Sequence, residues 1–154
     1  LKSSETQLCF SLACRNITPR IFNTPKIGDD MTPKEVVQKG YESFAAGDMG
    51  TIKSLMHEEA VIKVNGMHKF SGTYHGPDSF INDFLAHIPS HFENFKAEPK
   101  LMVAEDDYVF ALVNGTAEGM QGDFGHLYKI QNEKITEFHI LDDSQKLASI
   151  MKAM

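Results

Sequence analysis

The stretch GHLYKIQNEKITEFHILDD, residues 125–143, decides the reading of the fold. Apolar and polar residues alternate from His126 to Ile130, the polar break falls at Gln131-Asn132-Glu133-Lys134, and Ile135 to Leu141 is a second β-compatible run, which together read as a β-hairpin. With Asn132-Glu133 as a two-residue loop, the cross-strand pairs are Ile130 with Ile135, Tyr128 with Glu137, and His126 with His139, all on one face. A three-residue loop moves the register by one and brings Phe138, Ile140 and Asp142 to the face of His126 instead. The first form is expected, because the longer loop favours glycine at the left-handed position where Glu133 stands. Lys129 then sets the facing. An unpartnered lysine inside an apolar core costs several kcal/mol, so Leu127, Lys129, Thr136 and Phe138 are placed outside and His126, Tyr128 and His139 inside.

Upstream of the hairpin, Ala97 to Ala104 and Tyr108 to Glu118 are β-compatible runs separated by the turn Glu105-Asp106-Asp107, so four strands follow one another without a helix. Gly115, Gly119, Gly122 and Gly125 lie between strands rather than before a helix. They read as bends in a curved sheet and not as a phosphate loop. Further back, Ala60 to Val64 and Met67 to Phe70 flank Asn65-Gly66, which predicts a two-residue hairpin. Pro77-Asp78-Ser79 opens a helix with the stripe Phe80, Ile81, Phe84, Leu85 and Ile88, ended or kinked by Pro89. His87 and His91 are four apart, but Pro89 intervenes and no Glu follows His87; they read as surface or helix-end residues, not zinc ligands. His57, His68 and His75 read as edge or loop residues, and the methionines as core filler.

The amino-terminal half of the domain opens on Thr32-Pro33-Lys34-Glu35, a capping box with proline at the first helical position. Val36, Val37, Tyr41, Phe44 and Ala45 recur at helical spacing until Gly47, and Asp48 caps a second helix burying Ile52, Leu55 and Met56. Ser144 is read as the cap of a terminal helix. The expected core is Phe44, Ile52, Leu55, Phe80, Phe84, Leu85, Val103, Leu112 and Ile130. Residues 1–30 lack amphipathic spacing and read as an appendage, loosely packed or poorly structured. Their Leu8 to Ala13 run is short and follows Glu5, so no export signal is expected. Cys9 and Cys14 read as free thiols of a cytoplasmic protein.

A chain of 154 residues, 42% apolar and 23% charged, holds one sizeable domain. A net charge of −6 without a basic cluster argues against nucleic acid and anionic membranes as partners. No run approaches the roughly 18 apolar residues that span a bilayer. No metal or other cofactor is expected.

The order helix, helix, strand, strand, helix, four strands and a short terminal helix predicts an α+β cone, helices covering the concave face of a curved mixed sheet. In YESFAAGDMGTIKSLMHEEAVIKV (residues 41–64), FSGTYHGPDSFINDF (70–84) and HLYKIQNEKITEFHILDDSQKL (126–147) the chain resembles the NTF2-like superfamily, in its SnoaL-like and ketosteroid-isomerase-like branch. The resemblance covers all but residues 1–30. It implies a cone-shaped pocket and pairing of two copies through the outer sheet face. The tyrosine and aspartate of ketosteroid isomerases do not carry over: their positions fall on Gly40 and near Val64, so steroid isomerisation by that chemistry is not expected. Related dehydratases and cyclases use histidine and aspartate on the later strands, for which His126, His139 and Asp142 are the counterparts. These three are the candidate catalytic residues; Tyr41, Tyr128, Phe44 and Phe84 are candidate ligand contacts. Three classes stay open: an isomerase, cyclase or dehydratase using acid/base chemistry on a small apolar ring compound, a non-catalytic binder of such a molecule, and a protein-interaction module.

Overall fold

The computed structural model describes residues 30–151. The readings made for residues 1–29, including Cys9 and Cys14, lie outside them. The described unit begins as the capping box dictates. Thr32 accepts from Glu35 N, the Glu35 carboxylate accepts from Thr32 N, and α1 (Pro33–Ala46) runs to a left-handed Gly47. Asp48 caps α2 (Met49–Leu55) through Thr51 N. The strands are β1 (Met56–Val64), β2 (Gly72–His75), β3 (Lys96–Glu105), β4 (Tyr108–Ala117), β5 (Met120–Gln131) and β6 (Lys134–Leu141). They form one sheet in the order β2-β1-β6-β5-β4-β3, antiparallel except for the β1–β6 pair. The expected curved mixed sheet with helices on its concave face is what the chain forms.

The terminal helix α5 (Ser144–Ile150) is capped by Asp143, which accepts from Lys146 N, and not by Ser144. Three further local expectations need correction. Asn65-Gly66 is not a hairpin turn: Val64 pairs with Gly72, leaving residues 65–71 as a loop. The Asn65 side chain is engaged elsewhere, donating to Asp142 O (3.3 Å) and accepting from Asp142 N (3.0 Å), so the chain closes on a distant strand end. The Pro77 helix is broken into α3 (Gly76–Ser79), a π-turn (Phe80–Phe84), a 3-10 turn (Leu85–His87) and α4 (Ile88–His91). Pro89 sits in the first turn of α4, where its missing amide costs nothing. Third, Val103 is exposed (53%). It pairs with Phe110, whose neighbours Val109 and Ala111 take the buried face, so Val103 belongs to the outer face.

The remaining core is close to expectation. Ile52, Leu55, Phe80, Phe84 and Ile130 are buried and Phe44 and Leu85 pack partly buried against them, but Leu112, half-buried, lies with Val103 on the outer face, because its neighbours Ala111 and Val113 take the inner one. Gly115 earns its place by proximity: a Cβ there would lie 2.3 Å from the Phe124 ring.

Candidate functional site

The β5–β6 hairpin turns at Asn132-Glu133 as expected, both residues having positive φ (50° and 61°), and Ile130 pairs with Ile135. The register then slips. Lys129 faces Glu137, Tyr128 faces Phe138, Leu127 faces His139 and His126 faces Ile140. A β-bulge around Thr136 inserts one extra residue into β6, so every side chain beyond it changes face. The predicted pairing of His126 with His139 is thereby corrected: the two lie on opposite faces. His139 sits outside with its Nε2 3.6 Å from the Glu137 carboxylate, and Phe138, expected outside, is buried within. The slip has a simple cause. Without it, the Glu137 carboxylate would enter the cone beside Tyr128 and Phe138 would face water.

Inward from β5 and β6 come Phe124, His126, Tyr128, Phe138, Ile140 and, just past the strand, Asp142. With Tyr41 and Phe44 from α1 and Phe80 and Phe84 from the π-turn they line an apolar cavity of about 110 Å³. Two polar groups break its lining.

The first is a relay. The Tyr128 hydroxyl donates to Tyr41 Oη (3.0 Å), and Tyr41 Oη lies 2.7 Å from His126 Nδ1. The Tyr41 oxygen receives one hydrogen and owns one, which is within donating distance of Nδ1 when the imidazole hydrogen is on Nε2. All three side chains are buried. Burial pushes the Tyr41 hydroxyl well above its usual range, against a smaller opposing contribution from the Tyr128 hydrogen bond. Burial, then the neighbouring Tyr41, push Tyr128 the same way, and burial holds His126 down to about 3. The network is neutral at physiological pH.

The second is a dyad that sequence reasoning missed on one side. His68, read as an edge residue, is carried inward by the 65–71 loop, and its Nε2 lies 3.0 Å from Asp142 Oδ2 with both side chains 3% exposed. His68 Nδ1 accepts from Phe70 N (3.2 Å), so Nε2 carries the hydrogen and donates it to Asp142. Asp142 Oδ1 is buried with no hydrogen-bond partner among the described residues. A buried acceptor left unsatisfied costs about 1–3 kcal/mol, which points to a donor supplied from the cavity. The signal for His68 lay in Asn65 and Ser71, polar loop residues that bind backbone: Ser71 Oγ donates to Asn65 O and accepts from His68 N.

His91 ends α4, one of the two placements expected for it, but it is not at the surface. It is buried (1%), with Nδ1 donating to His87 O (3.0 Å) and Nε2 accepting from the Lys69 ammonium (3.3 Å). It is thus a satisfied structural histidine. Among the described residues no cluster of His, Cys, Asp and Glu is arranged to hold a metal, and no helix is long and apolar enough to cross a membrane.

Solved structures with this architecture are numerous. An NTF2-like protein of unknown function from Burkholderia pseudomallei K96243 superposes with a TM-score of 0.70 at 19% identity, covering 80% of this chain and 100% of that one. TerC, co-crystallised with polyporic acid, gives 0.69 at 23% identity over 77% and 98% of the two chains. A putative polyketide cyclase from Sinorhizobium meliloti gives 0.61 at 13% over 71% and 99%. At these identities the likeness concerns the fold. No curated protein matches the chain in sequence. The model of the SnoaL-like domain matches residues 37–138, two-thirds of the chain, so with the cone and its lined cavity in view the protein belongs to the SnoaL-like family within the NTF2-like fold.

Proposed function

We propose that the protein is an acid/base enzyme acting on a small apolar ring compound, an isomerase, cyclase or dehydratase in reaction type, with Asp142 as the proton-transferring group. The observation that carries this is Asp142 Oδ1, an unpartnered carboxylate oxygen in a largely apolar cavity, its other oxygen held by His68. In such a step Oδ1 takes a proton from carbon next to a carbonyl. The C–H bond breaks, its electron pair moves into an enolate, and the Asp142 carboxylic acid returns the proton to a second position. His68 positions the carboxylate, and Phe80, Phe84 and Phe138 exclude water. At about 110 Å³ the cavity is smaller than the roughly 150 Å³ that admits benzene, which limits a ligand to a single ring.

The test is exchange of α-hydrogens for deuterium in monocyclic ketones, followed by proton NMR. Wild-type protein accelerates exchange above buffer, and Asp142→Asn abolishes the excess while retaining ketone binding. Binding without exchange by the wild type supports the alternative, a non-catalytic ligand carrier.

The partner reading follows from register. Leu101 with Leu112, and Val103 with Phe110 and Leu127, form apolar rows on the outer face, where Leu101 and Val103 are 54% and 53% exposed. A second copy of this chain covering that face is the arrangement we propose. We assign the protein to the cytoplasm on the reading of Cys9 and Cys14 as free thiols.

A further inference from the structure

We infer that His126 serves as a fixed hydrogen-bond donor to a carbonyl oxygen of the ligand, and not as the proton-abstracting base its place on the hairpin suggests. The hydrogen bonds decide this. Tyr128 donates to Tyr41, so the Tyr41 oxygen already receives one hydrogen and its own is best placed on His126 Nδ1, 2.7 Å away; the one hydrogen of the neutral imidazole then stands on Nε2. Nε2 has no hydrogen-bond partner among the described residues, and the ring lines the cavity. Its lone-pair nitrogen is occupied by Tyr41, so His126 offers the cavity a donor and no acceptor.

The ring is held by more than one contact. It lies parallel to Tyr41 (3° between planes, centroids 5.9 Å apart) and edge-on to Phe138 and Tyr128 (83° and 80°), so rotation would break the relay and three ring contacts together. Protonation would place a second hydrogen at Nδ1, against the Tyr41 hydroxyl, in a site without an acidic neighbour on this network. The same burial that keeps the imidazole neutral therefore keeps the donor in place.

His126 and Asp142 share the inner face, Asp142 following Ile140, the cross-strand partner of His126, by two residues. Such diagonal neighbours stand about 7–8 Å apart. One six-membered ring placed between them presents a carbonyl oxygen to His126 Nε2 and a hydroxyl or acidic C–H to Asp142 Oδ1. The donor assignment rests on the cavity being the ligand site, as proposed above, and not on turnover there.

The test is nitrogen-15 NMR of histidine-labelled protein between pH 5 and 8, with 2-cyclohexenone as the probe and cyclohexene as its carbonyl-free control. The His126 signals are expected to show a hydrogen on Nε2 throughout, with no titration. Cyclohexenone, but not cyclohexene, shifts the Nε2–H resonance. In Tyr41→Phe the hydrogen redistributes between the two nitrogens, and ketone affinity falls about tenfold. His126→Gln, which keeps an N–H donor, retains more affinity than His126→Leu. A hydrogen on Nδ1, or titration of His126 within this range, overturns the inference, as does a cyclohexenone-insensitive Nε2–H in a protein that binds the ketone. Absence of any ketone binding overturns the cavity reading with it. Absence of deuterium exchange alone leaves a donor that works in a binder, so the two failures are told apart.

Discussion

Replacing Tyr41 by phenylalanine removes one oxygen from the middle of the relay, and the structure sets the size of the effect. Two hydrogen bonds are lost, the 3.0 Å bond from Tyr128 and the 2.7 Å bond to His126 Nδ1, and two buried polar atoms are orphaned. At about 1 kcal/mol for each bond and about 1–3 kcal/mol for each buried group left unsatisfied, Tyr41→Phe is expected to cost about 3–4 kcal/mol, less than the simple sum because small shifts let water reach one of the orphans. Tyr128→Phe removes the end of the chain instead: one bond goes, Tyr41 still donates to His126, and the cost is about 1 kcal/mol. The double variant then costs no more than Tyr41→Phe alone, because the orphaned Tyr128 hydroxyl leaves with it. Urea unfolding followed by far-UV circular dichroism measures all three, with a common m-value as the check that the transition stays two-state. Equal costs for the two single variants, or costs that add in the double, refute a relay with Tyr41 at its centre.

His126 also sets an acid limit on stability. Its folded pKa of about 3 lies below the unfolded 6.5, so the unfolded chain binds the extra proton first. The contribution is fully present above pH 6.5 and is lost as the pH falls towards 3, at up to about 1.4 kcal/mol per pH unit. His126→Leu is expected to flatten that slope in thermal unfolding at stepped pH. Gly115→Ala drives a methyl group into the Phe124 ring, 2.3 Å from the built Cβ, and is expected to destabilise by about 1–3 kcal/mol in the same urea assay. For assembly, light scattering at micromolar concentration is expected to give a dimer, and Leu101→Glu with Val103→Glu a folded monomer; a wild-type monomer of 17.2 kDa counts against pairing.

Much of the fold was legible because its signals are local. Thr32-Pro33-Lys34-Glu35 fixes a helix start by capping chemistry alone, and the polar break at Asn132-Glu133 marks the turn, although Glu133 takes a left-handed φ of 61° in the two-residue loop too, so the missing glycine does not decide between loop lengths. The site was legible in part. Tyr41, Phe44, Phe84, His126, Tyr128 and Asp142 all line the cavity, while His139 does not. A bulge changes phase without a marker residue of its own, yet one clue stood in the sequence: strict alternation from Ile135 would send Glu137 inward and Phe138 outward, a poor exchange in an apolar cone. His68 was harder to see. Its position depends on Asn65 binding the backbone of Asp142 across 77 residues, and a local rule for Asn-Gly turns carries no information about so distant a partner.

The central claim is that Asp142 Oδ1 and His126 Nε2 address one ring in the cavity. A crystal structure of the complex with 1,3-cyclohexanedione, whose enol carries a donor and an acceptor on one ring, tests it most directly. The account predicts the enol hydroxyl within about 3 Å of Asp142 Oδ1 and the carbonyl oxygen within about 3.2 Å of His126 Nε2, with His68 still on Oδ2. A diketone bound with neither oxygen on these two atoms contradicts the account, as does one lodged outside the cone.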